Sequence, residues 1–312
     1  MEDYPRNQLE FETRFASEEA CREYLAQLRW PEGFRCPQCG QSKAWPVRDG
    51  AWQCAACGRQ TSVTAGTLFH RSKLDLRLWF RAMWSVTGHK HGTSALGLQR
   101  VLGLGSYLAA WTWLHKLRRA MVRPGRDRPH ARVEVDETYV GGAEEGVRGR
   151  QTVTKALVAI AVEAPEDGPG IGRIRMRVVA DASAASLLGF VREAVEPGTT
   201  VHTDGWPSYS PLEGLGYPHE VSVLRDPKLA WQLLPHVHRI ASLFKRWWAG
   251  THQGAIRARH PDYYLDEFSF RFNRRNSRSR GKLFYRLVQQ AAAIEPTPYQ
   301  SIVGGKPAKP DS

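Results

Sequence analysis

Four cysteines and two aspartates have the types and spacings from which chemistry can be read. In CPQCGQSKAWPVRDGAWQCAACG, Cys36 and Cys39 form one CxxC pair, and Cys54 and Cys57 form a second after fourteen intervening residues. Each pair turns two thiolates toward one ion, Gly40 and Gly58 give the backbone freedom behind it, and two such knuckles close a tetrahedral sulfur site. Four thiolates leave no open coordination position, so the Zn2+ that suits this site is structural. The remaining cysteine, Cys21 in SEEACREYLAQLRW, reads as a core thiol. Asp136 and Asp204 stand in strand-like settings, VEVDETYVGG and VHTDGWPSYSPL. Carboxylates on neighbouring strands can hold two Mg2+ ions roughly 4 Å apart, one activating an attacking oxygen and one stabilising the leaving oxygen of a phosphodiester. Taken singly each is equally a capping or turn residue, Asp204 before Gly205 especially. Where a third acid is expected, the stretch PHVHRIASLFKRWW offers His236 and His238.

The composition narrows what such residues could act on. A chain of 312 residues, 42% hydrophobic, can bury a core, and about one domain per 150 residues suggests two or more units. A formal net charge of +13 favours a polyanionic partner, and nucleic acid outranks a membrane surface. No apolar run approaches the roughly 20 residues of a spanning helix, and MEDYPRNQLEFETRF has neither a basic leader nor an apolar signal core. A cytoplasmic protein with no membrane partner is expected. Thiols confined to the stretch from Cys21 to Cys57 then argue for metal over disulfides.

The elements that must position these groups follow from periodicity. LDLRLWFRAMWSVTG is helical, and TSALGLQRVLGLGSYLAAWTWLHKLRRAM reads as a helix, a turn around Gly103 and Gly105, and a second helix ending in Lys116, Arg118 and Arg119. That is helix-turn-helix punctuation with the second helix in a major groove, or else two packed helices whose Trp111, Trp113 and Leu114 are core. After RPGRDRPH, a linker, three strands follow in RVEVDETYVGG, TVTKALVAIAVE and RIRMRVVAD, then a helix capped by Ser183 and a fourth strand in TTVHTD. Strand, strand, strand, helix, strand and further helices match the ribonuclease H-like order. In that order the middle of the first strand lies beside the end of the fourth, where Asp136 and Asp204 would converge.

The succession of zinc ribbon, helix-turn-helix, VEVDETYVGG, HTDGWPSY, LFKRWWAGTHQGA and YYLDEFSFRFNRR resembles the bacterial insertion-sequence transposases of the DDE superfamily, in the group with an N-terminal zinc ribbon. The resemblance spans roughly residues 8–290. It implies a multidomain α+β chain: N-terminal helix and zinc ribbon over 1–66, helix-turn-helix over 67–122, linker over 123–130, ribonuclease H-like catalytic domain with a mixed sheet over 131–290, and flexible tail over 291–312. It implies binding of insertion-sequence ends, metal-dependent cleavage and attack of the freed 3′-hydroxyls on target DNA, in a homo-oligomeric synaptic complex. Asp136 and Asp204 match the first two metal-ligand positions. In the superfamily a Glu, sometimes Asn or His, follows the second Asp a few tens of positions on, with a basic residue seven places later. His238 and Lys245 fit that register and would ligate Mg2+ or Mn2+ and contact DNA phosphate, respectively. His236 competes, as do Glu220, Asp226 and Glu267 for the ligand role. Glu267, Arg271 and Arg274 fall on one helical face and resemble the family's acidic-then-basic signature, with Arg271 and Arg274 as DNA-binding residues and Arg275, Arg278, Arg280 and Lys282 extending the stripe. Trp247 and Trp248 either pack beneath it or stack on a base. The competing function is a DNA-binding, catalytically decayed or domesticated relative. A plain nuclease or resolvase would not need two N-terminal DNA-reading modules.

Overall fold

The computed structural model describes residues 2–89, 91–122, 125–141, 155–165, 170–223, 230–252 and 260–303. The chain divides into two compact units, Met1–Arg123 together with Asn276–Ser312, and Pro124–Arg275.

The first unit begins with helices α1 (Gln8–Arg14) and α2 (Glu18–Arg29), each opened by a side-chain cap, Asn7 and Ser17. The ribbon follows as an antiparallel sheet of β1 (Ala44–Pro46), β2 (Ala51–Cys54) and β3 (Gln60–Ser62). Three more helices complete this half: α3 (Leu76–Gly88), α4 (Ala95–Leu102) and α5 (Tyr107–Ala120). Glu18 joins α2 to α3 by accepting hydrogen bonds from the Leu76 and Arg77 amides, both 3.1 Å. This satisfies the otherwise orphaned donors at the start of α3. The expected helix-turn-helix pair is present as α4 and α5, but α5 is largely core. Trp113, Leu114 and Leu117 are buried, and so is Arg118, at 1% exposure, so the basic end of α5 does not present Arg118 to DNA. The exposed part of α5 is its first turn, with Tyr107 and Leu108 half exposed.

The second unit carries a five-stranded sheet, formed from β4 (Arg132–Val140), β5 (Ala156–Glu163), β6 (Ile174–Val179), β7 (Thr200–Thr203) and β8 (His219–Val221) in the spatial order β6-β5-β4-β7-β8. β4, β5 and β6 pair antiparallel, and β7 and β8 join β4 in parallel, which is the mixed ribonuclease H-like arrangement. Helix α6 (Ala184–Ala194) provides the crossover between β6 and β7, and a 3-10 segment, Pro207–Leu215, leads from β7 to β8. The linker residues Arg128 and Pro129 bond to this unit through the Arg192 carbonyl and the Glu196 amide; residues 123 and 124 of that linker lie outside the described residues. Beyond β8 lie α7 (Ala230–Leu233), α8 (Pro235–His252) and α9 (Pro261–Phe272).

The sheet is covered on both faces. Val133, Val135, Ala159 and Ala161 pack with Phe190, Val191, Tyr209 and Leu212 on one side. Val158, Ile160 and Val162 pack with Val237, Ile240, Phe244 and Phe268 on the other. β5 therefore reads as an unbroken apolar run because both its faces are buried. Trp247 and Trp248 belong to the second cluster and are nearly buried, which settles them as packing residues.

The chain then returns to the first unit through α10 (Arg280–Ala293) and α11 (Tyr299–Val303). Phe284 of α10 sits in an aromatic cluster with Phe11, Phe15, Tyr24, Phe80 and Trp84, at centroid separations of 5.4 to 6.4 Å. The Leu68 amide donates to the Ala291 carbonyl, Lys282 pairs with Glu2 at 2.9 Å, and Arg286 also pairs with Glu2. A side chain at Gly281 would overlap the Pro5 carbonyl, so only glycine lets the N-terminal segment lie against α10. Two boundaries read from the sequence are corrected by this packing. The strand-bearing unit ends at Arg275 and not at 290, because the partners of α10 lie near the N-terminus. The segment expected as a flexible tail from 291 includes α11, whose Ile302 is fully buried; residues 304–312 lie outside the described residues. The positive stripe from Arg275 to Lys282 is likewise split between the two units.

Candidate functional site

The ribbon brings its four thiols together. Sγ separations are 3.6 Å for Cys36–Cys57, 3.5 Å for Cys39–Cys54 and 3.6 Å for Cys39–Cys57, and all four Sγ atoms lie within 4.8 Å of one another. A tetrahedron with Zn–S bonds of about 2.3 Å has edges of about 3.8 Å, so the thiols fit the ion. Each knuckle is closed the same way, with the Gly40 amide bonded to the Cys36 carbonyl and the Gly58 amide to the Cys54 carbonyl. Desolvation raises the Cys36 thiol, but hydrogen bonds from the Cys39 and Gln38 amides and from the Cys57 and Cys39 thiols together bring it down to about 6, while Cys39, sharing those contacts, is pushed up to about 12, so the four thiols hold their protons as one group. Cys21 is fully buried and pushed up to about 12 by that burial, as an inert core thiol should be. Protein purified without chelator is expected to hold about one zinc per chain, lost in Cys39→Ser and kept in Cys21→Ala. Metal analysis finding no zinc in the unaltered chain would overturn this.

The aspartates are brought side by side by strand register. β4 and β7 pair in parallel as Arg132↔Thr200, Val133↔Val201 and Glu134↔His202, and two steps further along each chain stand Asp136 and Asp204. The two strands lie about 4.8 Å apart where they pair, and both aspartates follow the last pair, Glu134↔His202, toward the same end of the sheet. Asp136 lies within β4; Asp204 lies just past the end of β7 and is exposed. The Glu137 amide donates to Asp136 Oδ1 at 2.8 Å, and the Trp206 amide to Asp204 Oδ1 at 3.0 Å. Gly205 turns the chain at φ 84°, and a Cβ there would lie 2.9 Å from Val221 Cγ1, so β8 closes against the turn only with glycine in place. On the opposite face, the buried Tyr209 hydroxyl donates to Glu137 Oε2 at 3.0 Å. Burial first, then the charges of Glu137, Asp136 and Asp204, push this phenol well up, which registers the negative field gathered here.

Helix α8 lies along the face of β4 that carries Glu134, Asp136 and Thr138. His238 Nδ1 is 3.9 Å from Asp136 Oδ2, too long for a hydrogen bond yet less than two metal–ligand bonds of about 2.1 Å. Burial holds the His238 pKa below its ordinary value, against the opposing pull of Glu134 and Asp204, and so favours the neutral imidazole that can ligate. Two carboxylates and an imidazole suit Mg2+ or Mn2+. The three groups are not drawn in as tightly as the thiols: among the described residues, only the cysteines form a group of three or more ligating side chains with donor atoms all within 4.8 Å. Lys245 Nζ donates to Thr138 Oγ1 at 2.7 Å, and burial lowers its pKa despite the nearby Asp136 charge.

The competitors for the ligand position are otherwise engaged. His236 Nδ1 donates to Glu134 Oε1 at 2.6 Å. Glu220 accepts from Arg132 at 2.9 and 3.0 Å. Glu267 is 1% exposed and takes Arg271 at 2.9 Å, the ion pair expected from their spacing. Asp226 lies outside the described residues. The same pairing engages Arg271, expected as a DNA contact: its side chain is 11% exposed and is held by Glu267 within α9. Arg274 lies 4.1 Å over the Phe270 ring and donates to the Phe270 carbonyl. Glu134 and Thr138 escaped the sequence reading, although their alternation with Asp136 along one strand face was a signal available there.

Residues 130–273 match the family model of the ISXO2-like transposase domain, and residues 16–60 match that of the transposase zinc-ribbon domain. The chain carries a transposase domain and a transposase zinc ribbon. The transposase is 28% identical, over 303 residues, to an uncharacterized protein in transposable element ISH50 of Halobacterium salinarum, covering 89% of this chain and 98% of that protein. Among solved structures it is similar to a chain of the simian T-cell lymphotropic virus intasome in complex with PP2A regulatory subunit B56 gamma, at 15% identity and TM-score 0.33 over 65% of this chain and 74% of that one. A chain of the Mos1 strand transfer complex matches at 14% identity and TM-score 0.28, over 69% and 75%. The fold assignment of the transposase rests on its own strand order and not on these distant likenesses. Its transposase-domain match stops at 273, near the unit boundary at Arg275.

Proposed function

We propose that this transposase binds the ends of an insertion sequence, cleaves phosphodiester bonds there and joins the resulting 3′-hydroxyls to target DNA, with Asp136, Asp204 and His238 as the ligands of a divalent-metal centre. The observation that carries this reading is the parallel register of β4 and β7, which sets the two aspartates at one level of the sheet with His238 of α8 facing Asp136. Mg2+ or Mn2+ held there would activate the attacking oxygen and stabilise the leaving one. Asp136 and Asp204 contribute two negative charges and His238 a neutral nitrogen, a donor set that favours Mn2+ over Mg2+ relative to three carboxylates. Lys245 stands seven positions beyond His238, two turns along α8, and its ammonium can meet a phosphate oxygen while bonded to Thr138. Arg274 supplies a second phosphate contact. The ribbon and the exposed first turn of α5 bind the ends, the structural Zn2+ holding the ribbon folded. Pairing two ends requires a homo-oligomer, and the proposed reaction, acting on the cell's own DNA, is a cytoplasmic one. Among the described residues no helix is long and apolar enough to cross a membrane.

The test is incubation of the full chain with labelled DNA carrying the element ends, with Mn2+, with Mg2+ and with neither. Cleavage exposing 3′-hydroxyls, dependent on metal and faster with Mn2+, is expected. A wild-type chain inert with both metals, alongside a His238→Glu variant that cuts with Mg2+, would identify a decayed enzyme instead.

A further inference from the structure

Glu134 is a buried carboxylate that the metal chemistry does not use. It is 1% exposed, and its partners all belong to the first turn of α8: Oε2 accepts from the His236 amide and the Val237 amide, both at 2.9 Å, and Oε1 accepts from His236 Nδ1 at 2.6 Å. Two of the donors that a helix N-terminus leaves unsatisfied are thus closed by a side chain from the neighbouring strand. Four positions along β4, Thr138 accepts from Lys245 of the same helix. The two attachment points are commensurate. The four strand steps from Glu134 to Thr138 span about 13 Å, and the nine helical steps from His236 to Lys245 span about 13.5 Å. Asp136 lies between the strand anchors and His238 between the helix anchors.

We infer that Glu134 is a positioning residue: by holding the first turn of α8 against β4, with Thr138 and Lys245 fixing the far end, it sets the helical register that brings His238 over Asp136. The inference rests on the proposed role of His238. What matters in it is reach and hydrogen-bond geometry, not negative charge. Glutamine preserves the reach, since its carbonyl oxygen can accept both amides and its NH2 can donate to His236 Nδ1 in the other tautomer. Aspartate preserves the charge but is one methylene too short to keep all three bonds.

This crossed pair decides the matter in the full-length chain. Glu134→Gln is expected to cleave labelled element-end DNA with Mn2+ within about threefold of wild type. Glu134→Asp should lose on the order of 10- to 100-fold, as the loss of one or two of the three hydrogen bonds to the first turn of α8 implies, with DNA binding unchanged. In protein without added Mn2+ or Mg2+ the His236 and Val237 amides should exchange hydrogen faster in Glu134→Asp and at the wild-type rate in Glu134→Gln. Impaired cleavage in Glu134→Gln would overturn the inference, because charge and not position would then be the requirement. Wild-type exchange in Glu134→Asp would overturn it too. The exchange measurement needs neither metal nor activity, so its outcome stands apart from the fate of the Asp136, Asp204 and His238 centre, whose failure would appear as an inert wild type.

Discussion

Asp136→Asn and Asp204→Asn are each expected to reduce strand cleavage by at least about a thousandfold, while binding of element-end DNA stays within about twofold of wild type. A thousandfold corresponds to about 4 kcal/mol of transition-state stabilisation, the scale of a metal ion's contribution to a displacement at phosphorus. Asparagine keeps the acceptor oxygen that the Glu137 or Trp206 amide uses, so the local turn should persist and only the charge is lost. Binding should survive because, in the proposed reading, phosphate contacts come from the ribbon, α5, Lys245 and Arg274, and these changes replace none of those groups. Gel-shift and cleavage assays on the same preparations measure both quantities. Equal loss of binding and cleavage in folded variants would remove the aspartates from the chemistry.

Removing residues 276–312 is expected to be as damaging to DNA binding as removing the ribbon itself, although α10 need not touch DNA. Phe284 is fully buried among the aromatic rings of α1, α2 and α3, and Phe284→Ala alone should cost about 3–5 kcal/mol. That is a large share of the roughly 5–15 kcal/mol typical of a folded protein. A fragment ending at Arg123 should therefore fail to melt cooperatively, and joining residues 276–303 to it through a flexible linker should restore both the transition and zinc-dependent DNA binding. A fragment of residues 1–123 that melts cooperatively without α10 would show that the N-terminal half folds by itself.

These two cases mark where the sequence was legible. The zinc knuckles are local, with every ligand between Cys36 and Cys57, so spacing alone disclosed them. Asp136 and Asp204 could be read because alternation and apolar runs identified β4, β5, β6 and β7, and strand order brings the first beside the fourth. The Glu267–Arg271 pair followed from helical spacing. The home of α10 could not be read, because its periodicity shows an apolar face but not which core that face enters, and its partners, Phe11 to Trp84, lie at the other end of the sequence. β8 spans only His219–Val221, too short for alternation to register. Arg118 resembled a solvated end of a recognition helix and is buried, since charge in a sequence does not say which face of α5 is covered. Glu134 stands between Val133 and Val135 with nothing local to mark its partners, and its bonds to α8 appear only when the helix is laid against that strand.

The centre itself is tested most directly by pulsed electron paramagnetic resonance of Mn2+ bound to the full-length chain. A nitrogen-14 coupling from one directly bound imidazole is expected in wild type and in His236→Ala, absent in His238→Ala, and replaced by an all-oxygen signature in His238→Glu. A coupling that survives in His238→Ala but disappears in His236→Ala would contradict the assignment and place the wrong histidine at the metal.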